Sequence, residues 1–281
     1  MKNKSEIFTI TAQTNLHAGS GDTRYGIIDN LVQRDSISEL PVINASSLKG
    51  ALRQFTRFQS KKGKILKDEE YKIFGSPAKP EKDDPEHQAG SYNFLTAKLL
   101  VLPVRSSQKH FFRAISLSVL QSFVEDADYN GALIPDDFKT ALEALKNLGI
   151  EKKKPIIFEN LKGLLLEDFE MREDSQIIKD FAHKAVLEKY LGGKIVVFHD
   201  DDFTELCEDL PVIARNYLEN GESKNLWYEQ VVPRQSMFYY TVIRPVNNTF
   251  NDVFAELLEK YPVQIGANAT IGYGLCKISK L

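Results

Sequence analysis

The sequence predicts an α+β protein in which the two ends of the chain build one core of sheet and helix. Three observations predict this class: strand patterns and an amphipathic helix near the N-terminus, the same pairing near the C-terminus, and mainly helical patterns between them. Hydrophobic residues make up 42% of the 281 residues and charged residues 27%. These values are typical of a globular protein with a substantial core.

The first elements follow from local patterns. EIFTITAQTNL is predicted to be a half-buried strand, because apolar side chains alternate with threonines. A long glycine-bearing loop over residues 17–35 follows, and LPVINASS gives a short apolar strand. SSLKGALRQFTRFQS is the clearest helix, and Ser46 or Ser47 can cap it. Its predicted apolar stripe consists of Leu48, Ala51, Leu52, Phe55 and Phe58.

The remaining elements are predicted in the same way. Residues 60–90 are polar and contain prolines, which predicts a short helix near 69–74 and then a loop. Strands are predicted in YNFLTAKLLVLPVRS, KIVVFHDDDF, MFYYTVIRPV and TIGYGLCKISK, and helices in ISLSVLQSFVED, DDFKTALEALKNLG, DSQIIKDFAHKAVLEKYLG and NDVFAELLEKY. LPVIARNYLENGESKNLWYEQVVP predicts two extended arms around a Glu-Asn-Gly-Glu turn. This order fits a ferredoxin-like sandwich better than a doubly wound sheet.

Charge and cysteine content limit the function classes. The formal net charge is -3, which neither indicates nor excludes a nucleic-acid partner, because a local basic stripe is sufficient. Cys207 and Cys276 lie far apart, so we expect no disulfide framework or cysteine-rich zinc site, and a reducing cytoplasm fits. The five histidines never fall at HxxxH spacing. We expect neither a signal peptide nor a membrane span.

The first helix carries a regular row of basic residues. Lys49, Arg53 and Arg57 recur every fourth residue and share one face. Basic side chains beside a helix N-terminus suit phosphate, because free N–H groups and the helix dipole add to the attraction. The alternative is the solvated face of an ordinary amphipathic helix, and the helix alone leaves both interpretations open.

Glycines are concentrated in QIGANATIGYGLCKI near the C-terminus. A dinucleotide fingerprint or a phosphate-binding P-loop would need a helix after the last glycine, and only a strand fits there. The segment is therefore predicted to be a tight turn that lets another backbone, of protein or polynucleotide, approach closely.

Several single residues have both a structural and a functional interpretation. Asp29 in YGIIDNLVQRD has no carboxylate partner suited to glycosidase chemistry, and a lone loop aspartate most often orders a turn. His17 could act as a catalytic base, contact a ribose, or simply be a loop histidine hydrogen-bonded to backbone groups. The acidic run at 199–202 lacks the alternating spacing of a cation site and predicts a solvated strand end. Trp227 and Tyr228 fit either base stacking or the core.

The order of the motifs is more specific than any one of them. HAGSG, YGIIDNLVQRD, LPVINASSLKGALR, AKLLVLPVRS, LWYEQVVP and QIGANATIGYG together resemble the RAMP superfamily, over about residues 7–278. Within it, LWYEQVVP favours the repeated backbone subunit of type III-B CRISPR Cmr complexes over its type III-A counterpart. We expect one RAMP domain over residues 1–281, with core segments at 6–60, 90–120 and 230–281, insertions at about 61–90 and 121–210, and a thumb hairpin at about 211–230.

The resemblance implies a ferredoxin-like, RRM-related core with a protruding β-hairpin thumb. It implies several copies stacked along a CRISPR RNA beside other Cmr subunits, with each thumb displacing one nucleotide of the duplex between guide and single-stranded target RNA. A loop aspartate then cuts the target at regular intervals, and Asp29 occupies its place. The activity implied is a cytoplasmic, metal-dependent endoribonuclease that uses the ribose 2′-OH. Asp29 would contact a divalent ion, Mg²⁺ or Mn²⁺, and His17 would be a secondary catalytic contact.

The resemblance also assigns binding residues. The RNA-binding residues expected are Ser47, Lys49, Arg53, Arg57, Gly272 and Gly274. The thumb residues expected are Arg215, Asn216, Tyr217 and Trp227. Three positions depart from the family pattern: Leu31 stands where a proline is usual, and Ala269 and Tyr273 replace an acidic and a basic residue. We therefore expect no base-specific contacts from the last two side chains.

Two other functions stay open at this point. The chain could be a guide-binding scaffold in which Asp29 only orders its loop. It could instead be an enzyme that trims precursor CRISPR RNA alone and without metal, although such an enzyme should show a clearer histidine acid–base pair. We favour guide binding and target cutting together.

Overall fold

A computed structural model describes residues 3–21, 27–77, 88–159, 161, 163–170, 181–246 and 250–281. The strands of this part are β1 (Asn3–Ala12), β2 (Val42–Ile43), β3 (Asn93–Phe94), β4 (Ala97–Arg105), β5 (Phe111–Ser116), β6 (Ile156–Ile157), β7 (Leu165–Leu166), β8 (Phe169–Glu170), β9 (Ile195–Phe198), β10 (Val212–Glu219), β11 (Glu222–Gln230), β12 (Met237–Pro245), β13 (Val263–Gln264) and β14 (Leu275–Lys280). The helices are α1 (Ala45–Lys61), α2 (Lys67–Phe74), α3 (Leu117–Tyr129), α4 (Asp136–Lys146), α5 (Lys184–Leu191), α6 (Asp200–Glu208) and α7 (Phe250–Lys260).

Ten of these strands form one mixed sheet. Its order is β13-β14-β1-β12-β4-β5-β9-β6, with β2 paired to β4 and β3 paired to β12. Strand β1 lies between β14 and β12 and is antiparallel to both, so that Phe8 faces Lys280 on one side and Tyr240 on the other. The two ends of the chain therefore pair with each other and build one half of the sheet, β13-β14-β1-β12. The predicted α+β class is confirmed.

The pattern of β1 was predicted to be half-buried, and this is wrong. Side chains on both of its faces are buried: Phe8 and Ile10 on one, Ile7 and Thr9 on the other. The alternation of apolar residues and threonines suggested one wet face, because threonine is usually exposed. In the middle of a sheet covered on both faces, Thr9 is 7% exposed and its hydroxyl donates to the Ser279 carbonyl at 3.3 Å.

Helix α1 begins at Ala45, before the two serines that were predicted to cap it. Asn44 is the N-cap residue, and no side chain caps this end, so the prediction of a Ser46 or Ser47 cap is wrong. The apolar stripe is confirmed at its buried positions, but Phe58 is 54% exposed, with the ammonium group of Lys62 4.2 Å from its ring centroid. The buried face continues instead through Thr56 and Gln59, so Phe58 lies outside it.

The acidic run is not a strand end. Strand β9 stops at Phe198, and Asp200, Asp201 and Asp202 form the first turn of helix α6. Negative charge is favoured there by the helix dipole, which explains why three aspartates can begin a helix. Asp202 is fully buried and accepts a hydrogen bond of 2.6 Å from the Lys153 backbone N–H. The prediction of a solvated end is therefore wrong for this residue.

The thumb is the hairpin of β10 and β11, Val212–Gln230, and it forms a two-stranded sheet of its own. Asn220 and Gly221 both have positive φ angles, 53° and 84°, as a type I′ turn requires. Most of its side chains are exposed, so the hairpin projects from the body of the protein. The predicted pair of extended arms is confirmed.

The other predictions are confirmed in part. The helices at ISLSVLQSFVED, DDFKTALEALKNLG and NDVFAELLEKY correspond to α3, α4 and α7. Of the helix predicted at 174–192, only α5 is seen, and residues 174–180 lie outside the described part. The final strand begins only at Leu275, because Ala269–Ile271 form a 3₁₀ turn. None of the described helices is long and apolar enough to cross a membrane.

Candidate active site

Three separate segments meet at the root of the thumb: residues 16–21, residues 27–34 and the turn at 265–275. Leu16 and Val232 exchange two backbone hydrogen bonds, of 2.9 and 2.8 Å, which dock the first segment beside the end of β11. The second segment pairs with β11 itself, and the third packs against the first through a backbone hydrogen bond. Residues far apart in the sequence are thus brought to one place by backbone hydrogen bonds.

Asp29 is exposed and bound to the thumb. Its backbone N–H and that of Asn30 both donate to the Tyr228 carbonyl at 3.1 Å. In return, the Tyr228 N–H donates to Asp29 Oδ2 at 2.8 Å. Oδ1 accepts no hydrogen bond within the described part of the chain. One oxygen therefore fixes the carboxylate, and the other has no hydrogen-bond partner among the residues that the structure describes.

His17 is buried, with 5% of its surface exposed. Its Nδ1 lies 2.7 Å from the Gln230 carbonyl oxygen. Since a carbonyl only accepts, Nδ1 carries the proton in this contact and Nε2 is the nitrogen left for another partner. Gln230 follows Tyr228 by two residues, so His17 and Asp29 dock about 7 Å apart along the same strand. This position suits the secondary contact predicted for His17.

Glu229 joins the thumb to the glycine-rich turn, and sequence reasoning missed it. This carboxylate is 6% exposed and accepts from Trp227 Nε1 at 3.0 Å, Arg215 Nε at 3.1 Å and Asn268 Nδ2 at 2.9 Å. Burial raises the pKa of Glu229, but the hydrogen bonds from Trp227 and Arg215 outweigh burial and hold it below its usual range. Nothing in the sequence indicates that Glu229 of the LWYE stretch binds the distant Asn268.

The glycine-rich turn approaches the first loop as predicted. A Cβ on Gly266 would lie 2.4 Å from the His17 carbonyl oxygen, and both this residue and Gly274 have positive φ angles. At Gly274 a Cβ would meet the Ile265 carbonyl. Gly272 also has a positive φ angle, of 83°, but open space surrounds its Cβ position. Two of these glycines thus serve packing within the protein, while Gly272 presents an open backbone.

Gln33 ties the first loop to helix α1, and it too was missed. Its Nε2 donates to the Gly19 carbonyl at 3.0 Å and to Ser47 Oγ at 2.9 Å. Its Oε1 accepts from the Asn44 N–H at 2.7 Å. The side chain is 8% exposed. Gln33 stands in the polar stretch DNLVQRD, so nothing in the sequence signalled this role.

The basic row on α1 is divided by the fold. Arg53 Nη2 donates to the Phe74 carbonyl at 3.2 Å and to the Gly75 carbonyl, at the C-terminal end of α2. Arg57 pairs with the buried Glu70 at 3.4 Å. Lys49 is half-buried and makes no hydrogen bond or ion pair within the described residues. That Arg53 and Arg57 bind RNA stays a prediction, but each already has a protein partner.

The other predicted residues are distributed as follows. Ser47 is half-buried in the first turn of α1. Asn216 and Tyr217 lie near the thumb tip beside a β-bulge, and Tyr217 is 57% exposed. The Arg215 guanidinium lies over the Tyr273 ring, 4.6 Å from its centroid. Tyr273, which departs from the family pattern, therefore packs against the base of the thumb. Leu31 accepts a hydrogen bond of 2.9 Å from the Ser20 N–H, which holds its loop.

Known proteins share this architecture. The family model described as the RAMP superfamily matches residues 9–277. The chain belongs to the RAMP superfamily. A curated RAMP relative, the CRISPR system Cmr endoribonuclease Cmr4 of Pyrococcus furiosus, is 29% identical over 296 residues, which cover 98% of this chain and 95% of the relative.

Solved structures give the same family fold. A chain of the type III-B Cmr-beta complex bound to cognate target RNA is 24% identical, with a TM-score of 0.74, and the match covers 99% of this chain and 97% of that one. Oligomeric Cmr4 from Pyrococcus furiosus is also 24% identical, with a TM-score of 0.68 and coverage of 99% and 98%. The predicted RAMP fold is confirmed.

Proposed function

We propose that this RAMP protein is the repeated backbone subunit of a CRISPR type III-B ribonucleoprotein, where it binds the guide RNA and cuts complementary target RNA. The observation that carries the proposal is the state of Asp29. Asp29 is exposed, its Oδ2 is fixed to the thumb, and its Oδ1 accepts no hydrogen bond from any residue that the structure describes. The Cmr4 relative is named an endoribonuclease, and the Cmr-beta structure contains cognate target RNA.

The reaction we propose needs no protein nucleophile. In RNA, the 2′-oxygen attacks the adjacent phosphorus, the bond to the 5′-oxygen of the next nucleotide breaks, and a 2′,3′-cyclic phosphate remains. This attack requires an in-line arrangement, which a nucleotide displaced from the duplex can adopt. Asp29 Oδ1 would accept the proton of the 2′-OH, and the departing 5′-oxygen takes a proton from water.

A divalent metal ion is part of the proposal. Within the described residues, no group of three acidic, histidine or cysteine side chains could hold one. Mg²⁺ usually keeps several waters and is held by one or two carboxylates and substrate phosphates, so the Asp29 carboxylate could hold the ion through one of these waters, which would leave Oδ1 able to take the 2′-OH proton. When bound there, the ion would supply positive charge beside the phosphate. The chain's own contribution would be to hold the carboxylate still through Tyr228.

Guide binding would rest on few side chains and on backbone. Lys49 lies near the N-terminus of α1 without a protein partner in the described residues, which suits contact with a phosphate. Gly272 presents open backbone beside the thumb root. Such binding is largely indifferent to guide sequence and weakens steeply with salt. A guide of scrambled spacer sequence binding far worse at equal salt would contradict it.

The partners proposed follow from the same relatives. One of the solved structures is an oligomeric Cmr4, and another is a Cmr complex. We propose that copies of this chain stack along a CRISPR RNA beside other Cmr subunits. Cys207 and Cys276 are free and buried, which supports work in a reducing cytoplasm.

A non-catalytic scaffold is the second candidate, and one observation favours it. The hydrogen bond from Tyr228 to Asp29 Oδ2 is a structural role in itself, since it orders the loop against the thumb. In a scaffold protein, Asp29 would only order its loop and would take no part in catalysis. The third candidate, a processing nuclease, is less favoured because His17 is buried against Gln230 and no second histidine lies at this site in the described residues.

The test uses the reconstituted ribonucleoprotein and a 5′-labelled target RNA. We expect cuts at regular intervals with magnesium and none after chelation. A target with one 2′-deoxyribose at a scissile nucleotide should lose that cut only, because the nucleophile is missing there. The proposed mechanism is refuted if the deoxyribose position is still cut.

A further inference from the structure

The two faces of the thumb differ in what their side chains do. In the β10–β11 register, Arg215 lies opposite Trp227, while Asn216 lies opposite Leu226. Because successive side chains of a strand point to opposite faces, Trp227 shares a face with Arg215 and Glu229, whereas Tyr228 shares the other face with Leu226.

The face of Trp227 is occupied by the protein. The indole N–H donates to Glu229 Oε1, and Arg215 donates to the same carboxylate and lies over Tyr273. Trp227 is only half-buried, but its polar group is engaged at the thumb root. Its ring is held in place as part of the joint between thumb and body.

The opposite face is exposed and, near the thumb root, mainly apolar. Tyr228 is 37% exposed, Leu226 54% and Val212 41%. Ile27, two residues before Asp29, is 89% exposed. Neither the Tyr228 hydroxyl nor its ring has a partner within the described residues. An aromatic side chain between aliphatic ones, without a polar partner, is the surface on which nucleobases stack in proteins that bind single-stranded RNA.

Tyr228 is also the residue that holds Asp29. Its N–H donates to Asp29 Oδ2 at 2.8 Å, and its carbonyl accepts from the Asp29 and Asn30 N–H groups at 3.1 Å. The ring and the carboxylate are therefore joined through the backbone of a single residue. A base stacked on the ring would bring its ribose close to Asp29 Oδ1.

We propose that Tyr228 is a substrate-positioning residue whose ring stacks on the base of the nucleotide displaced beside Asp29. This inference rests on the proposed function, because it assumes an RNA substrate at Asp29. The base on the ring and the carboxylate beside the ribose would together fix the in-line geometry. Leu226 would flank the base, and any of the four bases would be accepted, because each has a face on which to stack.

The first experiment measures stacking without cleavage. The reconstituted complex binds a target that carries 2-aminopurine at the displaced position and a 2′-deoxyribose at the scissile nucleotide. The fluorescence of 2-aminopurine falls when it stacks. We expect quenching in wild type and in Tyr228→Phe, and its loss in Tyr228→Ala. Tyr129→Ala, which removes an exposed tyrosine at the end of α3, is the matched control and should leave the quenching unchanged.

The second experiment measures cleavage of an ordinary target and of one with an abasic displaced nucleotide. Tyr228→Ala should slow cleavage of the ordinary target about 10-fold, which corresponds to about 1.4 kcal/mol. Tyr228→Phe should cut it at the wild-type rate. The abasic target, which has no base to stack, should be cut equally by wild type and Tyr228→Ala.

Three outcomes would overturn the inference. Quenching that persists in Tyr228→Ala would place the base elsewhere. A 10-fold loss that is the same on the abasic target would mean that Tyr228 acts through the protein. Complexes with fewer copies of the chain would mean that the ring contacts a neighbouring copy. If wild type fails to cut any target, the proposed function fails, and the fluorescence comparison still decides whether Tyr228 stacks on a base.

Discussion

Replacement of Gln33 by alanine tests whether the first loop is held to helix α1. The substitution removes the three side-chain hydrogen bonds to Gly19, Ser47 and Asn44, of 2.7–3.0 Å. Each is worth about 1 kcal/mol, and the full penalty for unsatisfied groups does not apply, because Gly19 and Asn44 are exposed and can bind water. We therefore expect Gln33→Ala to lower the free energy of unfolding by about 2–3 kcal/mol.

Urea unfolding, with linear extrapolation of the free energy to water, measures this loss. The matched control is Gln13→Ala, since Gln13 is exposed and its amide makes one bond of 3.3 Å to the Thr11 carbonyl. Its unfolding free energy should stay within about 0.5 kcal/mol of wild type. A value for Gln33→Ala within that same margin would refute the role assigned to Gln33.

Two further predictions concern the glycine-rich turn and a buried ion pair. Gly274→Ala should destabilise the protein by about 1–3 kcal/mol more than Gly272→Ala in thermal unfolding; both have positive φ angles, but only the first Cβ clashes. Burial raises the pKa of Glu6, but Arg244 and Lys280 outweigh it and lower the pKa to about 2. This group should therefore stabilise the fold by about 3 kcal/mol above pH 4.5, and this contribution is lost as the pH falls towards 2. Glu6→Gln should flatten that part of the profile of unfolding free energy in urea against pH.

The sequence predicted those parts of the fold that depend on local chemistry. The type I′ turn follows from Asn220 and Gly221 alone, because few other residues accept positive φ angles. The periodicity of α3, α4 and α7 was equally local. That the loop of Asp29 lies beside the thumb was predicted only through the resemblance of the motif order to the RAMP superfamily. The contact of the thumb with the glycine-rich turn through Asn268 was not predicted.

Other features depend on tertiary partners that local patterns do not contain. The regular spacing of Arg53 and Arg57 is the same whether the arginines face RNA or the end of α2, and only the fold shows that protein groups occupy them. The buried state of Asp202 depends on the Lys153 backbone, some fifty residues earlier. Alternation places Trp227 and Tyr228 on opposite thumb faces, but it does not say which face meets the body.

Cleavage by Asp29→Asn, compared with Asp29→Ala, tests the central claim most directly. Asparagine keeps an oxygen that can accept from the Tyr228 N–H, so the loop should stay on the thumb and the complex should assemble. It has lost the basic carboxylate, so we expect cutting of the target RNA at all intervals to fall at least 100-fold, as for Asp29→Ala. An Asp29→Asn complex that assembles and cuts at the wild-type rate would contradict the account and leave Asp29 as a residue that only orders its loop.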